Sequence, residues 1–113
     1  MKEFLLVFRA TEGKNRRNDA ERLANMELWK NWMGSIAQTG NLIGGQPLMA
    51  GGKLMSKNDI TDAPFAEGKE VMNGYLMIKS AGYKEAIALA KGCPILADHG
   101  GTVEVREIAK MDM

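Results

Sequence analysis

Phe4-Leu5-Leu6-Val7-Phe8, bounded by Glu3 and Arg9, decides how this chain folds. Five consecutive apolar residues are too few for a helix, and their aromatic and β-branched members favour extended backbone. Successive side chains of a strand point to opposite faces, so this run is apolar on both sides of its sheet. Val71 to Lys79 behaves alike: Leu76 and Ile78 point one way, Tyr75 and Met77 the other. A sheet containing both stretches has two apolar faces to cover.

The helices come next. From Asp19 to Thr39, Leu23, Met26, Trp29, Trp32 or Met33, and Ile36 recur at intervals of three or four, the spacing of one helical stripe. Asn18 or Asp19 can cap its start by accepting from first-turn N–H groups, and Gly40 supplies the left-handed stop. Tyr83, Ala86, Ile87 and Ala90 make a shorter stripe, ended by Gly92 and Pro94. Thr102 to Arg106 alternates with a period of two, as a half-buried strand does.

Between the helices the signals are mixed. Gly44-Gly45-Gln46-Pro47 breaks the chain, and Gly51-Gly52 within Leu48 to Met55 marks a bend or hairpin corner. Lys57 to Lys69 holds the turn formers Asn58, Asp59, Asp62, Pro64 and Gly68, a surface loop with a short pairing around Ile60. The order is strand, long helix, strand or hairpin, strand, short helix, strand. That order is an α+β sandwich, a ferredoxin-like antiparallel sheet with two helices on one face. Leaving the other face wet would forfeit on the order of 10 kcal/mol, comparable with the stability of a whole domain. A second copy is the simplest cover, so a two-fold homodimer packed sheet on sheet is expected.

Size and composition set the outer bounds. The 113 residues make one domain, 1–113, with a folded surface of about 6,100 Å². Fifteen basic against fourteen acidic residues leave +1, which provides no field to draw nucleic acid or anionic lipid. Asn15-Arg16-Arg17-Asn18 is too short a basic turn for a nucleic-acid footprint. The single cysteine, Cys93, excludes an intramolecular disulfide or a cysteine cage for metal, and a reducing cytoplasm is expected. The apolar start is too short for a signal peptide, and no stretch is long enough to span a bilayer. With neither a glycine-rich phosphate loop nor HExxH, no nucleotide, metal or other cofactor is expected. The nine methionines are read as core filler.

Thr61-Asp62-Ala63-Pro64-Phe65-Ala66-Glu67, then Lys69-Glu70 and Gly74-Tyr75, resembles the signature of the YCII-related family that carries a DGPF motif. Cys93-Pro94 and Gly100-Gly101-Thr102-Val103-Glu104-Val105-Arg106-Glu107-Ile108 are similar to that family's closing strand. Trp32, Gly40 and Gly45 fit its first helix and turn. The resemblance implies a dimeric α+β barrel, two ferredoxin-like protomers paired across their sheets, in agreement with the two-faced strands. It implies little about chemistry, because fold does not determine function. Two departures stand out. Ala63 occupies the position of the motif glycine, and the helix lacks the histidine that a His-Asp dyad of this family would use.

Asp62, which opens the motif, can cap a turn or present a carboxylate to a cleft. His99, the only histidine, stands beside Asp98 and is the other candidate base, although Asp-His-Gly-Gly is also a natural turn. Arg9 and Arg106 could hold an anionic ligand bidentately, or pair with Glu104 or Glu107. Phe65 and Glu67 of the motif loop complete the ligand-binding candidates, and Trp29 and Trp32 are read as core. The expected protein is a dimer that binds a small organic molecule, anionic or carbonyl, in a cleft between helix, sheet and the Asp59 to Lys69 loop. An enzyme would use acid–base chemistry without a cofactor, with Asp62 or His99 as base. The alternative is a binding or regulatory module without catalysis.

Overall fold

The computed structural model describes residues 1–11, 13–62 and 70–111. Strand β1 (Lys2–Thr11) leads into helix α1 (Asp19–Gln38), followed by strands β2 (Leu42–Pro47), β3 (Lys53–Met55), β4 (Ile60–Asp62) and β5 (Glu70–Ser80). Helix α2 (Tyr83–Ala90), a 3₁₀ turn at Pro94–Ala97 and strand β6 (Thr102–Glu107) complete the chain. The main sheet is antiparallel in the order β2-β5-β1-β6, and β3 and β4 form a separate hairpin. The fold is ferredoxin-like, with that hairpin inserted between its second and third sheet strands.

One face of β1, made by Phe4, Leu6, Phe8 and Ala10, is fully buried, and with Leu76, Ile78, Trp32, Ile36, Ala86, Ala90, Cys93 and Ile95 it forms the core. Register carries Val103 and Val105 of β6 to the same side. Phe8 is the hub of an aromatic cluster, edge-on to Trp29 at 5.0 Å and Trp32 at 5.8 Å. Edge-to-face rings set the electropositive rim of one against the electron-rich face of the other. The Trp32 indole N–H finds the Leu89 carbonyl at 3.0 Å, so burying it leaves no unmet donor.

The ends of α1 are tied by local chemistry. The Asn18 side chain accepts from the Glu21 N–H at 2.8 Å while the Glu21 carboxylate accepts from the Asn18 N–H at 3.1 Å, a capping box. At the other end Gly40, at φ 75°, lets its N–H reach Ala37 O and the Asn41 N–H reach Ile36 O, the Schellman pattern. Asn41 is buried, and its amide donates to Lys79 O at 2.7 Å, joining the end of α1 to that of β5.

Three expectations are corrected. Leu23 and Met26, placed on the buried stripe, are 68% and 65% exposed, because the first half of α1 overhangs the sheet and only Trp29, Trp32, Met33 and Ile36 meet the core. Nor are most of the described methionines core filler. Met1, Met26, Met49, Met55, Met72 and Met111 are all exposed, and Met33 and Met77 are half-buried. On α2, Tyr83 and Ile87 are also more exposed than their stripe predicts, while Ala86 and Ala90 are buried.

The face away from the helices carries Leu5, Val7 and Arg9 of β1, Tyr75 and Met77 of β5, and Glu104 and Arg106 of β6. Val7 is buried there among its strand neighbours, and Leu5, Tyr75 and Met77 are half-buried. The accessible surface is 8133 Å², against about 6,100 Å² for a compact chain of this mass. The radius of gyration, 15.5 Å, exceeds the compact value of about 13 Å.

Candidate functional site

β1 and β5 run in register from Lys2↔Ser80 to Phe8↔Gly74, where β5 takes one extra residue, Asn73, before Arg9↔Met72. Such a bulge bends its strand and re-aims side chains. Here the Asn73 carbonyl accepts from the Leu48 N–H at 2.8 Å, which holds the chain leaving β2 beside the bulge. Beyond it the connection runs through Gly51 and Gly52, both at positive φ, to β3.

The bulge, this connection and the β1–α1 turn enclose a cleft of about 430 Å³ at one end of the sheet. Ala10, Val71, Met72, Leu48 and Met49 line it with apolar groups, and Thr11, Asn15, Arg16, Arg17, Asn73 and Asp98 with polar ones. The polar wall is held firmly. The Asp98 carboxylate, nearly buried, accepts from Arg17 Nη2 at 2.5 Å. The Asn15 side chain accepts from the His99 N–H at 2.8 Å and donates to the His99 carbonyl at 3.0 Å, which also accepts from the Thr11 N–H at 3.0 Å. Gly100, at φ 69°, and Gly101, packed against the Ile95 carbonyl where a Cβ would collide, let the Asp98-His99 turn sit this close to β1.

The residues singled out from sequence are dispersed. Asp62 is exposed on β4 and forms an ion pair with Lys53 across the hairpin. His99 is exposed, and its backbone makes the bonds just described, while Asp98 points to Arg17. Arg9 and Arg106 lie on the open sheet face, joined through Glu104 at 2.5 and 3.7 Å, the pairing weighed against ligand binding. Phe65 and Glu67 lie outside the described residues. The cleft is therefore not where it was expected: neither the helices nor the described part of the Asp59 to Lys69 loop lines it. Sequence reasoning set aside Arg16 and Arg17 as too small a basic patch and missed Asn73, whose role depends on an unsignalled bulge.

Cys93 offers no nucleophile. Burial pushes its thiol from the ordinary 9.0 up to about 12, with the Asp98 charge adding to the rise and a backbone hydrogen bond at Ile95 opposing it. Among the described residues no group of three His, Cys, Asp or Glu side chains gathers to hold a metal, and no helix is long and apolar enough to cross a membrane.

A family model, the YCII-related domain, matches residues 3–112. The chain belongs to the YCII-related family. No curated protein matches it significantly. Membership agrees with the α+β fold and covers the cleft and both edges of the sheet.

Proposed function

We propose that this YCII-related chain is a homodimer, paired through its open sheet faces, that binds a small organic carboxylate or carbonyl compound in the cleft beside Asn73. The observation that carries the ligand reading is the cleft itself, about 430 Å³ with apolar groups on one wall and amide and guanidinium groups on the other. That volume lies within the range of small-molecule sites, and an amide such as that of Asn73 can donate to a carboxylate or carbonyl oxygen. The dimer reading is supported by Leu5, Tyr75 and Met77, half-buried on the open face, and by surface about 2,000 Å² beyond that of a compact chain. The lone buried cysteine suits a reducing cytoplasm.

Binding is favoured over acid–base catalysis because neither candidate base lines the cleft: Asp62 pairs with Lys53 on the hairpin, and His99 meets the polar wall through its backbone. Thermal-shift measurements with a panel of small carboxylates, aldehydes and ketones test the reading. A ligand at one hundred times its Kd is expected to raise Tm by about 10 °C. Asn73→Ala should abolish this gain, while Asp62→Asn and His99→Gln leave it intact. A shift that survives Asn73→Ala but vanishes in Asp62→Asn would move the site to the hairpin and overturn the assignment.

A further inference from the structure

Among the described residues, the β3–β4 hairpin is the least supported element. It pairs Lys53↔Asp62, Leu54↔Thr61 and Met55↔Ile60, and all six residues are exposed. A lone two-stranded ribbon is marginal in water even when longer than this, so such a hairpin needs an apolar surface to lie on. Alternation puts Met55 and Ile60, 72% and 61% exposed, together on one side beside the Lys53–Asp62 ion pair, and Leu54 with Thr61 on the other. Exposed Met side chains adapt well to a docking surface.

We infer that this hairpin is an arm that packs its Met55–Ile60 side on a second copy of the chain. The inference rests on the dimer reading and extends it from the sheet face to the arm. Surface area selects the occupant. Each protomer exposes about 2,000 Å² more than a compact chain, and two such excesses meet the 2,000–5,000 Å² that obligate homodimers bury. A two-fold partner also brings its own copy of the hairpin, so each protomer supplies one arm and receives another. The arm joins the cleft through Leu48 to Gly51, so docking it would also hold that wall in place.

Thiol labelling tests this, since Cys93 is buried and its thiol stays protonated at neutral pH. In Met55→Cys the new thiol should react with a maleimide at least tenfold more slowly than that of Ala88→Cys, which is exposed on α2. Light scattering on the same samples reports the mass. Equal rates in a sample of dimer mass overturn the arm and leave the sheet-face dimer standing. Equal rates at monomer mass overturn both. Slow labelling at monomer mass shows the arm folded onto its own chain, which also overturns the inference. Should Met55→Cys fail to fold, Ile60→Cys on the same side gives the same readout.

Discussion

At Cys93 a change of one proton links burial to stability. Its thiol ionises near 9.0 when unfolded and near 12 in the fold, so between those values the unfolded chain holds fewer protons than the native one. Folding stability from this group is complete below pH 9 and falls as the pH climbs toward 12. Cys93→Ala should flatten that part of the urea-denaturation profile measured between pH 8 and 11. An unchanged slope would mean that the thiol is not desolvated. The same burial makes the thiol a poor nucleophile at neutral pH. Several residue roles were legible in the sequence, among them Asn18 as one of two candidate caps, Gly40 as helix stop and Trp32 as core, because each follows from a local rule. Asn73, Arg17 and Asn15 were not, since their roles depend on partners distant in the chain.

Among the elements, β2 shows how closely an edge strand can be held. Gly45 lies opposite Leu76, and a Cβ there would run into the Tyr75 carbonyl and the Leu76 backbone. Backbone cannot step aside as a flexible side chain can, so Gly45→Ala should cost about 1–3 kcal/mol in urea unfolding. A loss under 0.5 kcal/mol, by that order-of-magnitude scale, would show that β2 is loosely paired. The alternation of β5 and β6 and the apolar run of β1 predict the sheet, and their faces fall as expected. The stripe on α1 predicts the helix but not how much of it the sheet can cover. Twenty residues at about 1.5 Å each outrun the core, and a periodic pattern carries no record of where its counterpart ends. The bend at Gly51-Gly52 and the pairing at Ile60 were visible, whereas the hairpin turns at Ser56 to Asp59 and its isolation is a tertiary fact.

At the scale of the whole molecule, the helix side of the sheet is closed and the other side is only half-buried. Two helices seal one side of the sheet over Phe4, Leu6, Phe8 and Ala10, and the opposite side keeps an apolar row beside the Arg9, Glu104 and Arg106 charges. Exposed Leu and Met side chains on the hairpin and beside the cleft add to it. A second chain covering these surfaces would bring the exposed area per protomer back toward that of a compact domain and would desolvate the ion pairs on the sheet. Light scattering at micromolar concentration is the most direct measurement. A particle of twice 12.4 kDa is the expected result, and a particle of 12.4 kDa would contradict the sheet-to-sheet dimer on which the account depends.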